Sequence, residues 1–530
     1  DRGWEIGLHA SWYSYNEERI GQGRENVKQY LGENPETAKK IALEIKKSLG
    51  LTEDIEENAP EEDNVIEKTA NYFRSKKVVL PTIAELKNPH SISEDIKNKV
   101  LKLDKDAMDP ANLFRVHWFN KRDHSKFLDV PEHIVLPSEF TGVDAKIIVN
   151  LGRYFPLITA HKVLAAYGCL LPRILNGSFD YTKQKAVWPS TGNYCRGGVA
   201  ISKILGFKSV AILPEGMSKE RFNWLEKWVE DKNDIIKTTG TESNVKEIYD
   251  ACNELEKDKN NDIINQFDEY YNYATHRAIT GASFEKSFLK VKGDSDLQAR
   301  FYVSASGSSG TLAAGDYLKE NLNAQIAVVE ATECPTLLYN GYGEHNIQGI
   351  GDKHVPLIHN VMNSDYVVGV SDEATNNLNL LFNTDEGKNY LTKRKGFDSD
   401  FVDRLPEFGF SSIANIIASI KLAKKMKLTK NDAIITVATD GADLYETELA
   451  KTKKQFSKIY DQVTCAEIFA KNFEAITVDH TLELSQIDKE RIFNLGYYTW
   501  VEQQGTSLEE FESRRSQSFW DKHYKDMISL

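Results

Sequence analysis

The sequence predicts an α/β fold with a mostly parallel, doubly wound β-sheet and helices on both of its faces. Two observations favour this class. Short apolar β runs alternate with helical patterns from about residue 145, and helices between β runs are the crossover connections that parallel strands require. In addition, 41% of the 530 residues are hydrophobic, which is enough to bury a large core.

Eight segments carry the β signal, because each is a short apolar run next to a helical pattern. In chain order they are AKIIVNL, KAVWPS, SVAILP, DIIKTT, RFYVSAS, AQIAVVEA, DYVVGVS and AIITVAT. Before about residue 135 the chain is charged and helical in pattern, and after residue 445 its aromatic residues are spaced as in amphipathic helices. We therefore expect a mostly helical accessory region (1–135), a catalytic core (136–445) and a helical C-terminal extension (446–530).

The composition argues against several classes of function. A formal net charge of −13 provides no basic field to hold a polyanion, so we expect no nucleic-acid partner. No apolar run approaches the roughly 20 residues that span a bilayer, so we expect no membrane partner. The cysteines are scattered without a C-x-x-C pair, which favours small buried side chains in a reducing cytoplasm and no metal site.

The first candidate site segment is the turn Ser190-Thr191-Gly192-Asn193, which stands between the β run KAVW and a helical pattern. A helix start offers free backbone N–H groups and a partial positive charge, and the two hydroxyls add donors. The turn can therefore hold a carboxylate. The alternative is a simple helix N-cap made by Ser190 or Thr191.

The second candidate segment is the turn Gly307-Ser308-Ser309-Gly310-Thr311, between the β run RFYV and a helical pattern. Small residues let the backbone close around a phosphate group, while the helix start and the hydroxyls supply donors without a formal charge. No G-K-[ST] lysine follows, so the pattern does not fit an ATP-binding P-loop.

Two further segments supply a candidate nucleophile and a lone hydroxyl. Lys162 stands near the start of a strongly apolar helical pattern, where poor solvation lowers the pKa of a lysine and makes its neutral amine a nucleophile for an aldehyde. The alternative is a lysine at the helix flank whose amine extends into solvent. Ser411 and Ser412 open another amphipathic helix, where helix capping is again the alternative.

Together the four segments provide what pyridoxal phosphate requires, namely a nucleophilic lysine, an anion-binding turn, an uncharged phosphate loop and a lone hydroxyl. The chain resembles the cysteine synthase branch of the fold-type-II pyridoxal-phosphate enzymes, through six motifs in unbroken order between about residues 145 and 445. The motifs are the S-T-G-N turn, LPEGMSKERFNWL (213–225), NQF (265–267) with Gly281, NIQGIG (346–351), VSDEA (370–374) and GFSS (409–412).

This resemblance implies a role for each candidate residue. Lys162 would be the catalytic residue and would form the Schiff base with pyridoxal 5′-phosphate. The other cofactor-binding residues would be Asn193 at the 3′-oxygen of the ring, Ser411 at the ring nitrogen, and Gly307, Ser308, Ser309, Gly310 and Thr311 at the phosphate. The substrate-binding residues would be Ser190, Thr191, Gly192 and Gln266.

The resemblance also implies an architecture and an assembly. The core would consist of two doubly wound parallel-sheet subdomains with the cofactor between them, flanked by the helical N- and C-terminal extensions. A homodimer that acts on a small amino-acid substrate would be expected.

Four features depart from the family pattern. Pro156 stands six rather than five residues before Lys162, and His161 replaces the usual apolar neighbour of the lysine. The phosphate loop reads GSSGT rather than GTGGT. Arg196 lies in the first turn of the helix that follows the S-T-G-N turn, where it opposes the helix dipole. We hypothesise that Arg196 contacts an anionic substrate side chain or an acidic residue of a partner subunit, and the alternative is a plain surface arginine.

The activity that the resemblance implies is β-replacement on an activated serine or cysteine-like amino acid through an aminoacrylate, with a thiol or sulfide as the incoming group. A hydroxyl opposite the ring nitrogen, rather than a carboxylate, leaves the ring a weaker electron sink and favours expulsion of a β-leaving group. Two alternatives stay open. One is a β-elimination lyase, such as a cysteine desulfhydrase or a serine/threonine dehydratase, and the other is a non-catalytic binding or regulatory relative.

Overall fold

The computed structural model describes residues 61–456 and 460–530, together with short stretches at 12–15, 18–22, 30–31, 34, 37–38 and 41. The chain divides into two compact units, residues 1–64 and 65–530. In the first unit, β1 (Trp12–Tyr15) and β2 (Glu18–Gln22) form an antiparallel pair. Within the described stretches, no helix has both the length and the apolar character needed to cross a membrane.

The strands of the second unit fall into two sheets. In chain order they are β3 (His133–Leu136), β4 (Lys146–Leu151), β5 (Lys185–Pro189), β6 (Ser209–Pro214), β7 (Ile235–Thr238), β8 (Asn261–Ile263), β9 (Gln298–Ala305), β10 (Gln325–Ala331), β11 (Tyr366–Val370), β12 (Asp432–Ala438) and β13 (Thr481–Glu483).

The larger sheet has seven strands in the order β13-β11-β10-β9-β12-β4-β3. Its central strands are parallel, and the edge strands β3 and β13 pair antiparallel with their neighbours. The smaller sheet has four parallel strands in the order β7-β6-β5-β8. All eight segments that the sequence predicts as strands form strands, so the prediction of doubly wound parallel sheets is confirmed.

Helices connect the parallel strands and cover both sheets. From residue 61 onward the α-helices are α1 (Glu61–Lys76), α2 (Ile83–Lys87), α3 (Glu94–Val100), α4 (Ser138–Thr141), α5 (Lys162–Asn176), α6 (Asn193–Leu205), α7 (Lys219–Trp228), α8 (Val245–Glu256), α9 (Tyr270–Thr275), α10 (Ala282–Lys292), α11 (Ala314–Leu322), α12 (Thr336–Tyr339), α13 (Asp372–Asn383), α14 (Asp385–Asn389), α15 (Ser399–Val402), α16 (Phe410–Lys425), α17 (Glu446–Gln455), α18 (Gln462–Phe469), α19 (Gln486–Tyr497), α20 (Leu508–Ser513) and α21 (Gln517–Ile528).

One hydrophobic core lies between the two sheets. It contains side chains of both, such as Ile148 and Val437 from the larger sheet and Ala186 and Leu213 from the smaller. Helix α5 belongs to this core and is buried on nearly all sides, as its continuous apolar sequence requires. Because α5 begins at Lys162, this burial fixes the place of the candidate nucleophile.

Residues from both predicted extensions pack on the same core. Phe73, Leu113 and Trp118 belong to it, and Trp118 Nε1 donates a hydrogen bond to Thr280 Oγ1 at 2.9 Å. Trp520 of α21 also belongs to it, while β13 extends the larger sheet within a segment that we expected to be helical. The boundaries at residues 135 and 445 stay a prediction.

Gly281 shows how closely the helices around the core approach one another. It ends the π-helical turn His276–Gly281, and a β-carbon at this position would lie 2.5 Å from Cβ of Tyr317 on α11. Because no real β-carbon contact is that short, Gly281→Ala must displace α11. We expect the free energy of unfolding of the full chain to fall by about 1–3 kcal/mol, measured by denaturant titration.

Gly496→Ala in α19 is the matched control for this substitution. A β-carbon there would meet Phe511 and Trp500 at an ordinary distance of 3.4 Å. No neighbouring group has to move, so the higher helix propensity of alanine is the main effect. The free energy of unfolding should stay unchanged or rise by up to about 1 kcal/mol. Equal stability of the two variants would contradict the close packing at Gly281.

Candidate active site

A cavity lies at the carboxyl ends of strands from both sheets, which is the edge where doubly wound folds bind ligands. Of the residues to which the sequence analysis gave a site role, Gly192 alone does not line this cavity. It lies in the same turn as Ser190, Thr191 and Asn193, which do. The indicated residues in the lining are Lys162, Ser190, Thr191, Asn193, Gln266, Gly307, Ser308, Ser309, Gly310, Thr311 and Ser411.

Lys162, the first residue of α5, directs its amine into the cavity. Nζ donates hydrogen bonds to Gln266 Oε1 and to Ser308 Oγ, both at 2.8 Å. Burial lowers the pKa of this amine to about 8, against the opposing influence of the Asp352 and Glu242 carboxyl groups. The amine is therefore held inside the protein, and the alternative of a lysine that extends into solvent is wrong.

His161 connects the start of α5 to the loop at 307–311. Its Nε2 lies 2.9 Å from Thr311 Oγ1, and its ring stacks on Trp118 with the ring centroids 6.0 Å apart. Burial lowers the pKa of His161 to about 3, so the ring is neutral beside Lys162. A neutral ring suits this position because a second cation would repel the lysine amine.

Asn272 and Ser306 support the loop at 307–311. Asn272 Nδ2 donates to Ser308 Oγ at 3.1 Å and to the Gln266 carbonyl oxygen at 2.9 Å. Ser309 has a positive φ of 65°, and its hydroxyl bonds to that of Ser306 at 2.8 Å. The loop is therefore fixed by its own hydroxyls and by one buried amide.

The two glycines of this loop lie in close contact with neighbouring parts of the chain. A β-carbon at Gly307 would lie 2.7 Å from the Gly349 carbonyl oxygen, and one at Gly310 would lie 2.3 Å from Asn272 Oδ1. Only glycine fits both positions, because the loop packs this closely against Gly349 and Asn272.

The NIQGIG segment (346–351) lies against the same loop. The Gly351 N–H donates to the Ser306 carbonyl oxygen at 2.6 Å. The Asp372 carboxylate at the start of α13 accepts hydrogen bonds from the Asn346 N–H at 2.6 Å and the Ile347 N–H at 3.1 Å. Motifs that are separate in the sequence thus fix one another around the cavity.

The turn 190–193 connects β5 to α6. Gly192 is the N-cap of α6 with a φ of 148°, no side chain caps the helix, and Ser190 Oγ accepts a hydrogen bond from the Gly192 N–H at 2.9 Å. The N-cap alternative is therefore wrong. A β-carbon at Gly192 would lie 2.5 Å from Cδ of Arg221, so a buried guanidinium group lies directly against the turn.

The side-chain amide of Asn193 is held from both ends. Its Nδ2 donates to Asp440 Oδ2 at 2.7 Å, and its Oδ1 accepts from Arg196 Nη1 at 3.0 Å. The Tyr445 hydroxyl also donates to Asp440 Oδ2, at 2.8 Å. Because Arg196 can only donate, these contacts fix the orientation of the amide.

Arg196 is only 2% exposed, so the surface alternative is wrong. Its Nη2 donates to the Ile158 carbonyl oxygen at 3.1 Å, and its guanidinium group lies 5.0 Å from the centroid of the Trp224 ring. These contacts are all within the chain, and Arg196 is not part of the cavity lining, so a direct substrate contact is not supported.

The conformation of the segment between Pro156 and Lys162 explains why an arginine is present at position 196. Leu157 and Thr159 have positive φ angles of 69° and 53°, a conformation that costs about 1–3 kcal/mol for each non-glycine residue. Trp224 Nε1 donates to the Leu157 carbonyl oxygen at 3.3 Å, and Arg196 holds the next carbonyl. The altered proline spacing and Arg196 are therefore parts of one arrangement.

Ser411 is the second residue of α16, and its Oγ lies 2.9 Å from Thr439 Oγ1 at the cavity wall. Gly409 is the N-cap of α16 without a side-chain cap bond, so the capping alternative is wrong for both serines. Ser412 Oγ is instead buried and has no hydrogen-bond partner in the described part of the chain.

The sequence analysis did not identify two acidic residues of the cavity wall. Glu242 and Asp352 both line the cavity and are 1% and 7% exposed. Asp352 directly follows the NIQGIG motif, and this position was a signal that could have been used. Glu242 lies in the segment TTGTESN, which carries no motif that marks it.

These residues fit pyridoxal phosphate. The Lys162 amine has the lowered pKa that attack on an aldehyde requires, and the loop at 307–311 lines the cavity with backbone N–H groups and hydroxyls, which are uncharged donors suited to a phosphate group. The Asn193 amide and the Ser411 hydroxyl also line the cavity, where they can contact a polar ring.

Arg196→Ala should destabilise the protein, because it leaves the half-buried Asn193 Oδ1 and the Ile158 carbonyl oxygen without this partner. We expect a loss of about 1–3 kcal/mol for each unsatisfied acceptor in denaturant unfolding of the full chain. Arg300→Ala is the control, since Arg300 is about half exposed and should change stability by less than about 0.5 kcal/mol. Equal losses would contradict the buried role of Arg196.

Comparison with known proteins agrees with this geometry. Residues 154–387 match the family model described as pyridoxal-phosphate dependent enzyme. Cysteine synthase B of Campylobacter jejuni is 30% identical over 254 residues, which are 47% of this chain and 74% of that protein. A crystal structure of cysteine synthase from Entamoeba histolytica has the same fold, with a TM-score of 0.50 and 21% identity over 65% of this chain and 92% of that one.

The first unit is similar to a different protein. Residues 9–50 match the model of the RecA C-terminal domain. A stretch of 54 residues is 55% identical to RecA of Halalkalibacterium halodurans, but it is only 10% of this chain and 16% of that protein. The match falls in the unit 1–64, whereas the cavity belongs to the unit 65–530.

The family match spans the lysine, the turn 190–193 and the loop at 307–311, and the relative with 30% identity is covered over 74% of its length. The fold of two parallel sheets with a cavity at their strand ends agrees with them. The chain therefore belongs to the pyridoxal-phosphate-dependent enzyme family, in its cysteine synthase-like fold-type-II branch, and its cofactor is pyridoxal 5′-phosphate.

Proposed function

We propose that the chain catalyses β-replacement, in which an activated serine or a cysteine-like amino acid exchanges its β-substituent for a thiol or sulfide. Lys162 carries this proposal, because Ser308 and Gln266 hold its amine inside the cavity beside the turn 190–193. The relative named cysteine synthase B supports the same reaction class.

When bound, the cofactor supplies an electron sink that makes the Cα proton of an amino acid acidic. Lys162 is the base that takes this proton at Nζ, since burial lowers its pKa to about 8 and lets the amine exchange a proton near neutral pH. The two hydrogen bonds of 2.8 Å orient Nζ before a substrate enters.

The turn 190–193 binds the substrate carboxylate. The N–H groups at the start of α6 and the hydroxyls of Ser190 and Thr191 donate to it, and the buried Arg221 adds positive charge behind the turn. Gln266 lies beside this position, and it would lose its hydrogen bond with Lys162 if that lysine held the cofactor. The Gln266 side-chain amide is then free to bind the substrate.

The remaining site residues hold the cofactor. The loop at 307–311 binds the phosphate through its backbone N–H groups and hydroxyls. Asn193, oriented by Arg196 and Asp440, binds the ring oxygen, and Ser411 binds the ring nitrogen. Serine offers that nitrogen a hydroxyl rather than a carboxylate, which favours loss of a β-substituent.

β-Elimination is the second candidate, with release of pyruvate and ammonia in place of addition of a thiol. Glu242 and Asp352 favour it, because a buried acid in the cavity can protonate a leaving group that is poor by itself. The buried, hydrogen-bonded amine of Lys162 argues against a non-catalytic relative, since an amine without a chemical role is better solvated at the surface.

We further propose that the enzyme acts on small amino acids as a cytoplasmic homodimer. The dimer rests on the resemblance to cysteine synthases. The unpaired state of all five cysteines supports a reducing compartment.

Lys162→Ala should abolish the visible absorption band that the cofactor gives in the purified wild-type protein. It should also lower the turnover of O-acetylserine with sulfide by more than about 100-fold, because the base is lost. Lys290→Ala is the control, since Lys290 is exposed on α10 and should leave both readouts intact. A wild-type band in K162A would contradict the assignment.

The rate at which cofactor-free protein binds pyridoxal phosphate should rise with pH and level off above about pH 8. Only the neutral amine attacks an aldehyde, and burial lowers the pKa of Lys162 to about 8. Stopped-flow absorbance at a series of pH values measures this rate. A rate that still rises near pH 10 would indicate an ordinary solvated lysine.

A further inference from the structure

The imidazole ring of His161 lies in the cavity wall with an oxygen atom at each of its two nitrogens. Its Nδ1 lies 3.4 Å from the Thr439 carbonyl oxygen, and its Nε2 lies 2.9 Å from Thr311 Oγ1. His161 is 2% exposed. The ring therefore connects the loop at 307–311 to the chain that follows β12, and the proposed reaction gives it no part.

The two oxygen atoms differ in the hydrogen bonds that they can form. The Thr439 carbonyl oxygen can only accept, so Nδ1 of His161 carries a proton. In a neutral ring Nε2 is then an acceptor, and the Thr311 hydroxyl must donate to it. Because a hydroxyl has a single proton, Thr311 cannot also donate to a phosphate group while His161 is neutral.

The titratable groups around His161 keep the ring neutral within the chain itself. Burial, followed by the charge of Lys162, lowers the pKa of His161 to about 3. The His276 ring lies 5.3 Å away between centroids and also opposes a second positive charge. Glu242 and Asp352, the carboxyl groups of the cavity, act on Lys162 rather than on His161. A charged ring therefore requires an anion that the chain does not supply.

A bound phosphate group is such an anion. A phosphate ester is close to a dianion at neutral pH, because its second pKa is near 6. The loop at 307–311 consists of glycine, serine and threonine and brings no cation to it. His161, one hydroxyl away from this loop, is placed to supply the missing positive charge.

The contacts of the ring suit its charged form. Both nitrogens of an imidazolium donate, and both already face an oxygen that can accept. The Trp118 ring stacks on His161 with centroids 6.0 Å apart and an angle of 25° between the planes, and an aromatic face at this distance attracts a cation. Trp118 is itself held by its Nε1 hydrogen bond to Thr280. No contact has to be rebuilt when the ring gains a proton.

We propose that His161 is the counter-ion of the cofactor phosphate, which takes up a proton when phosphate binds to the loop at 307–311 and thereby frees the Thr311 hydroxyl to donate to that phosphate. The proton comes from solvent and joins Nε2, and no other bond forms or breaks. His161 is a positioning residue, because it acts through Thr311. The inference goes beyond the proposed function, since it concerns how the cofactor is held and not the reaction.

Proton uptake makes phosphate binding depend on pH. The bound protein holds a proton that the free protein lacks, so binding weakens as the pH rises. Above about pH 6, where the phosphate is a dianion, we expect the association constant to fall by up to about tenfold per pH unit. The fall should level off above the pKa of the phosphate-bound ring, because neither form is then protonated.

The test uses the cofactor-free full chain and pyridoxine 5′-phosphate, which has the ring and the phosphate but no aldehyde to react with Lys162. Calorimetric titration at about pH 7.5, in buffers of different ionisation enthalpy, gives the number of protons taken up. We expect wild type to take up about one proton more than His161→Gln, whose amide can donate to Thr311 but does not titrate. His90→Gln is the control, since His90 is about half exposed and should match wild type.

Magnetic resonance of the wild type gives a second readout that needs no variant. With ¹⁵N-labelled histidine, we expect one of the twelve histidine rings to be neutral in the cofactor-free protein and to carry a proton on both nitrogens in the cofactor-loaded protein. The ³¹P resonance of the bound cofactor should stay that of a dianion.

Three results overturn the inference. Equal proton uptake by wild type and H161Q means that the ring stays neutral. A ³¹P shift typical of a monoanion places the proton on the phosphate instead of on His161. Both results leave the cofactor site and the proposed β-replacement intact, whereas failure of wild type to bind pyridoxine 5′-phosphate contradicts the phosphate-binding role of the loop as well.

Discussion

The Lys162 amine joins loops of both sheets. It donates to Ser308, which follows β9 in the larger sheet, and to Gln266, which follows β8 in the smaller. A lysine placed there loses solvation, and its two hydrogen bonds and the nearby carboxyl groups offset only part of that loss. The cavity therefore keeps an amine that is close to losing its proton, and this property makes the site chemically useful.

The surroundings of the lysine are arranged to keep it in place. Leu157 and Thr159 adopt left-handed conformations just before α5, and Arg196 and Trp224 hold the carbonyl groups of that segment. Arg196 also orients Asn193. One buried guanidinium group thus couples the backbone before the lysine to an amide of the cavity wall, which gives a departure from the family pattern a structural reason.

Much of the fold could be predicted from the sequence, because parallel strands buried on both faces are continuous apolar runs. The strands that were missed, such as β8 (Asn261–Ile263) and β13 (Thr481–Glu483), are too short to show a period. Lys162 could be found because a charge within an apolar helix is conspicuous. Glu242 could not, since neither its spacing nor its neighbours reveal that the chain turns it into the cavity.

The contacts that Arg196 makes could not be predicted from the sequence either. Its position in the first helical turn indicated a conflict with the helix dipole, but the carbonyl group that accepts its hydrogen bond comes from Ile158, 38 residues earlier. Contacts of this range depend on how α5 and α6 pack. Charge and periodicity alone also did not distinguish the RecA-like segment at 9–50 from the residues that follow.

The most direct test of the account is to identify the lysine that carries the cofactor. Borohydride reduction of the cofactor-loaded protein fixes pyridoxal phosphate to its lysine, and peptide mass spectrometry then locates it. The account predicts that the modified residue is Lys162, in the peptide that opens α5. A modification at any other lysine, or none in protein that visibly holds the cofactor, would contradict it.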